Sequence, residues 1–147
     1  QIGSFVMPPV ARPDTGVTVV MGTMHRDHHS VMKDIVASAL KEAGYRVNDL
    51  GVDVRAADFL ERLEETGSRI VIVFAEMLAT ARAVRGVRDL FTAEKRDDVV
   101  MLVAGGPFVA DPALARATGA NGMIGSAETA LKTLARVRKD ILEGDAS

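Results

Sequence analysis

Apolar and polar positions alternate in blocks along this chain, and the blocks switch between two periods. Residues 17–21, Val-Thr-Val-Val-Met, form a short β-branched run that predicts a buried strand. From Ser30 the apolar residues fall at Val31, Ile35, Val36, Ala39, Leu40 and Ala43. That spacing predicts a helix with those residues on its buried side and Gly44 as its stop. Residues 46–50 read as a weaker second strand, and 57–66 as a helix with Phe59, Leu60 and Leu63 on one side. Residues 70–74, Ile-Val-Ile-Val-Phe, are apolar throughout, as suits a strand covered on both faces. One helix is expected over 79–94, amphipathic through Ala83, Val84, Val87 and Leu90. A fourth strand follows at 99–104, a short helix at 112–118 and a fifth strand at 122–124. Ser126 caps a last helix that buries Ala127, Ala130, Leu131, Leu134, Val137, Ile141 and Leu142.

Five strands alternating with five helices imply an α/β fold: a doubly wound, flavodoxin-like or Rossmann-like parallel sheet with helices on both faces. The domain spans 17–147. Residues 1–16 read as a leader, because Pro8, Pro9, Pro13 and Gly16 interrupt regular structure; Phe5, Val6 and Met7 are apolar enough to pack on the domain. In such sheets ligands sit beyond the carboxyl ends of the strands, at the topological switch point. The loops that matter therefore follow Met21, Phe74 and Ala104.

Composition narrows the chemistry. The chain has 147 residues, 18 Lys and Arg, 20 Asp and Glu, and a formal charge of -2, so no bulk charge draws it to nucleic acid or to an anionic membrane. With one Tyr and no Trp it lacks stacking platforms for single strands. The absence of Cys excludes disulfides, Cys-based zinc sites, iron–sulfur clusters and a thiol nucleophile, and suits a reducing cytoplasm. No apolar stretch approaches the roughly 20 residues of a membrane span, and no signal peptide is expected at the N-terminus. Arg82, Arg85 and Arg88 share one helix side, either a solvated face or a docking face.

The first candidate loop holds all three histidines, His25, His28 and His29, with Asp27 among them. Three readings compete: a zinc site, imidazoles that are solvated or cap the next helix, or one histidine serving as an axial metal ligand. A ligating imidazole needs its other nitrogen hydrogen-bonded, and Asp27 stands two residues before His29. The third loop carries Gly105-Gly106, which admit close backbone approach or simply a turn. Dinucleotide, nucleoside-triphosphate and α/β-hydrolase signatures are absent. A receiver domain wants an acidic cluster after the first strand, where this chain has histidines.

From Val19 to about Leu134 the chain resembles the cobalamin (B12)-binding domain of corrinoid proteins and B12-dependent enzymes. Residues 33–54 are especially similar to the methyl-carrying corrinoid proteins and to the B12 domain of methionine synthase. The family motif Asp-x-His-x-x-Gly falls on residues 27–32, Asp-His-His-Ser-Val-Met, and a later Gly-Gly falls on Gly105-Gly106. The segment Gly119-Ala-Asn-Gly122 resembles the Gly-Ala-Asp-Gly before the last strand. The resemblance implies His29 as the lower axial cobalt ligand, Asp27 as its carboxylate partner, Thr80 as a hydroxyl beside that pair, and Gly105-Gly106 as the passage for the nucleotide tail. The chain departs from the pattern at three places. Met32 replaces the motif's closing glycine, and the family's Ser-x-Leu falls on Phe74-Ala-Glu76. In the family those positions line the slot that takes the dimethylbenzimidazole tail, so the resemblance implies that bulky residues there fill it.

The resemblance implies a cobalamin-binding module, a cofactor-carrying subunit or sensor domain rather than a catalyst on its own. A partner protein would supply the substrate: a methyltransferase, a mutase large subunit or a regulator. Homo-oligomerisation stays open. Residues 1–16 are too short for the helical cap of the methyl carriers, so the resemblance points either to the capless arrangement of mutase small subunits or to a fragment of a longer protein. The alternative is a degenerate B12-binding fold, a regulatory or interaction domain that binds another tetrapyrrole or no cofactor.

Overall fold

A computed structural model describes residues 13–146. The element order is β1 (Thr18–Thr23), α1 (Val31–Glu42), β2 (Arg46–Asp49), α2 (Ala56–Thr66), β3 (Ile70–Phe74), α3 (Leu78–Ala83), α4 (Arg85–Ala93), β4 (Val100–Ala104), α5 (Gly106–Ala110), α6 (Pro112–Ala117), β5 (Gly122–Ile124) and α7 (Ala127–Ala146). All strand pairs are parallel, in the order β2-β1-β3-β4-β5. This is the doubly wound α/β sheet that the alternating pattern predicts. The switch point lies between β1 and β3, so the loops after these two strands face each other at one end of the sheet.

Each central strand alternates between two apolar layers. Val20, Val71, Val73, Met101 and Val103 face a layer built with α2 and α4, around Phe59, Leu63, Val87 and Phe91. Val19, Met21, Ile70, Ile72, Phe74 and Leu102 face a layer built with α1 and α7. Burial on both faces explains why the strands are continuous apolar runs.

The structure departs from the expected elements in four places. The buried side of α1 is Lys33, Val36, Ala37 and Leu40, and Val31 and Ile35 are exposed at 74% and 52%. The expected stripe is rotated because Lys33 occupies a buried position. Its ammonium lies 2.7 Å from Asp34 and 2.8 Å from Asp49, which compensates the buried charge. Burial lowers the Lys33 pKa, but these two carboxylates outweigh it and hold the group above its ordinary value. The single helix expected over 79–94 is interrupted at Val84, giving α3 and α4, and Phe91 joins the core while Ala83 is exposed. Helix α5 was not expected: Gly105-Gly106-Pro107 reads as a loop, yet Pro107 fits the first turn of a helix. Leu142, expected on the buried side of α7, is exposed at 57%.

The leader divides. Residues 1–12, with Phe5, Val6 and Met7, lie outside the described residues. Thr15 donates its backbone N–H to the Gly44 carbonyl at 3.0 Å, and Asp14 pairs with Arg46 at 2.6 Å, so residues 14 and 15 are fastened to the turn after α1. Two of the three arginines also have fastening roles. Arg88 donates to Gly119 O, Val99 O and Asn121 Oδ1, and Arg85 to Asp89 and Ala117 O. Asn121 Oδ1 further accepts from the Met101 backbone, so residues 119–122 anchor β5 to α4 and β4. Among the described residues no helix is long and apolar enough to cross a membrane.

The rotated face of α1 is testable by urea denaturation. Phe59→Ala, in the core, is expected to cost about 3–5 kcal/mol. Val31→Ser is expected to stay within about 0.5 kcal/mol of the unchanged protein. A core-sized loss at Val31 would show that the helix buries the other stripe.

Candidate functional site

The loop after β1 is folded around its own carboxylate. Asp27 is fully buried, although it lies in a loop at the rim of the sheet. Its Oδ1 accepts from the His29 backbone N–H at 3.1 Å and from His29 Nδ1 at 2.7 Å. Its Oδ2 accepts from the Glu76 backbone N–H at 2.7 Å and from the Thr80 hydroxyl at 2.7 Å. Burial pushes the Asp27 pKa up, but these donors outweigh it and hold the carboxyl below the usual carboxylate range. Because a carboxylate only accepts, Nδ1 of His29 carries the proton when the ring is neutral. The lone pair then sits on Nε2, the nitrogen that metal ligation uses.

The structure therefore brings Asp27, His29 and Thr80 together, as the resemblance implies. The His29 side chain is 59% exposed beside a groove of about 480 Å³ lined by His28, Ser30, Val31, Met32, Ile35 and Glu76. The apolar residues that α1 does not bury supply one wall of this groove. Thr23 tightens the loop further, donating its hydroxyl to the His29 carbonyl at 2.8 Å.

The other two histidines do not join this cluster. His25 Nδ1 lies 2.7 Å from Asp53 Oδ1, and His28 Nε2 lies 3.9 Å from Asp53 Oδ2. Among the described residues no group of three or more His, Asp or Glu side chains could hold a metal ion, so the zinc reading finds no ligand set.

Asp53 is a site residue that the sequence reading missed. Its carboxylate also accepts from the Arg26 backbone N–H at 2.8 Å, and its own N–H donates to the Asp27 carbonyl at 3.0 Å. Arg26 and Asp53 both adopt positive φ, at 69° and 56°. The Arg26 N–H, and then His25, hold the Asp53 carboxyl below its ordinary pKa. Gly51 was the only sequence signal for this turn, and it says nothing about what the turn touches.

Gly105 and Gly106 lie across the crevice, and each is small for a different reason. Gly105 has φ 137°, and a Cβ there would stand 1.8 Å from the Ala75 carbonyl oxygen. Its size is thus demanded by contact between two loops. A Cβ on Gly106 would meet only Glu76 Oε2, at 3.8 Å. That carboxylate accepts the Gly106 backbone N–H at 3.1 Å. Gly106 lines a second groove, of about 380 Å³, with Met32, Glu76, Gly105, Val109 and Gly125. Phe74 is 1% exposed in the α1/α7 layer, and Met32 is half-buried against it.

Asp27→Asn is expected to cost about 1–3 kcal/mol, because the amide NH₂ would face groups that donate. The carboxyl pKa is lowered on folding, so its contribution is complete above the unfolded value near 3.8 and is lost as pH falls through the folded value. The stability gap between the two proteins should therefore be widest above about pH 5 and shrink below about pH 4. Urea denaturation across that range checks this; a gap that does not change with pH would show that the ionised form is not what holds the loop.

Residues 17–135 match the family model of the B12 binding domain. The chain is 40% identical over 95 residues to the trimethylamine corrinoid protein 2 of Methanosarcina mazei, a match covering 64% of this chain and 44% of that protein. It thus spans less than half the length of that relative. The monomethylamine corrinoid protein of Methanosarcina barkeri superposes with a TM-score of 0.75 at 25% identity, covering 82% of this chain and 57% of that one. The methanol:cobalamin methyltransferase complex MtaBC of the same organism gives 0.71 at 29% identity, covering 89% and 50%. With the model matched over most of its length, this chain belongs to the B12 binding domain family.

Proposed function

We propose that this domain holds a corrinoid on the end of the sheet, with His29 Nε2 as the lower axial ligand to cobalt, and presents it to a methyltransferase partner. Family membership and the corrinoid relatives support cobalamin as the cofactor type. The observation that carries the reading is the buried Asp27 carboxylate. It holds Nδ1 of His29 at 2.7 Å, which leaves Nε2 as the nitrogen for a ligand on a ring that lines the groove. Asp27 and Thr80 are positioning residues, and a buried carboxylate on Nδ1 raises the basicity of a ligating ring. When bound, a corrinoid supplies the carbon–cobalt chemistry; the protein supplies binding, orientation and electrostatics. The exposed apolar residues around the site, Val31, Ile35, Met77, Leu78 and Val109, suit the edge of a large ring or a docking protein. A methyltransferase partner is the choice that the matched relatives support.

One observation favours the alternative of a degenerate fold that binds another tetrapyrrole or nothing. Phe74 stands where the family has a serine, and it is core. The test separates the two. The chain is mixed in turn with hydroxocobalamin and with diaquacobinamide, desalted, and its visible spectrum recorded. The expected result is a red protein carrying about one corrinoid per chain with at least one of the two, and loss of the colour in His29→Ala. Thr80 is one bond further from the ring than Asp27, so Thr80→Val should weaken retention by about tenfold or less, below the roughly 10–100-fold typical of a partner on the ligand itself. A colourless protein with both corrinoids would leave the alternative, a fold that binds another tetrapyrrole or no cofactor.

A further inference from the structure

The two grooves beside His29 share a ridge, and the ridge consists of residues that depart from the family pattern. Met32 and Glu76 line both grooves. Glu76 is tied at both ends: its backbone N–H donates to Asp27 Oδ2 at 2.7 Å, and its Oε2 accepts from the Gly106 N–H at 3.1 Å. The carboxylate thus lies across the glycine strip. At Gly105 the strip already touches the Ala75 carbonyl, since a Cβ there would stand 1.8 Å from that oxygen. Below the ridge, the space between the sheet and helices α1 and α7 is filled by Phe74, packed in one layer with Val36, Leu40, Ile124 and Leu134.

We infer that this domain selects corrinoids that lack the nucleotide tail, the cobinamide class, over complete cobalamin. The inference rests on the corrinoid reading above. A complete cobalamin carries its own base, which takes the lower axial position unless the tail is drawn aside. For His29 to ligate, the tail must be housed, and the positions that the family resemblance assigns to its slot are occupied here by Met32, Glu76 and the packed Phe74. Admitting it would displace a fully packed aromatic side chain and break the Glu76–Gly106 bond. The tail also carries an anionic phosphodiester, and the Glu76 carboxylate has the same sign. A cobinamide has the same ring and an open lower face, and it asks for none of these changes.

Titration of the 147-residue chain with each corrinoid, followed by the visible spectrum, tests this. The expected result is at least about tenfold tighter binding of diaquacobinamide than of hydroxocobalamin, a difference of about 1.4 kcal/mol. The cobinamide spectrum should shift on binding, and His29→Ala should abolish the shift. Phe74→Ser combined with Glu76→Leu should tighten hydroxocobalamin about tenfold relative to diaquacobinamide, and so narrow or reverse the preference. If the Phe74 change prevents folding, Glu76→Leu alone, at the rim, should still favour hydroxocobalamin relative to cobinamide. A smaller preference in the unchanged protein, or one for hydroxocobalamin, overturns the inference and leaves the corrinoid reading standing. Failure to bind either corrinoid overturns both.

Discussion

The site depends on one buried carboxylate. Both oxygens of Asp27 are shielded from solvent, and an isolated ion there would be strongly disfavoured. Four donors compensate it, two from its own loop and two from the segment after β3. Those donors exist together only when the loop after β1, the backbone at Glu76 and the first turns of α3 are all in place. The parallel pairing of β1 with β3 brings these segments within reach. The desolvation that would make Asp27 a liability is thus what orders the three pieces, and the imidazole of His29 is ordered with them.

The sequence disclosed the sheet more fully than the surfaces around it. A strand buried on both faces produces an apolar run that loops cannot imitate, so residues 70–74 are legible to both ends, while the edge strand at 122–124 is only partly buried. Helix faces were less legible, because apolar character alone does not say which side is buried. In α1 a paired lysine takes the core position, and Val31 and Ile35 turn to the groove. Asp27, His29 and Thr80 were found through the resemblance, and the geometry unites them. Asp53 lies in the stretch 33–54 that carries the resemblance, but the motifs quoted for it do not include this residue. Its contact with the histidine loop comes from β2 lying next to β1 and from two residues in positive φ, neither of which is written in residue type.

The bonds to Asp27 and the packing of Phe74 fall to different residues of the segment that ends β3. Phe74 faces the α1/α7 layer, and Ala75, one residue on, faces the other. Thr80, beyond them, is turned to Asp27. The hydrogen bonds that hold His29 therefore involve no atom of the Phe74 side chain. At Glu76 the separation is finer still. Its backbone N–H serves Asp27, while its side chain accepts the Gly106 N–H. A leucine at that position would offer Asp27 the same N–H and leave the glycine strip uncovered. The backbone at residue 76 can thus serve Asp27 whatever side chain it carries. This is why a chain can depart from its family at Met32, Phe74 and Glu76 and still keep the Asp27–His29 geometry intact.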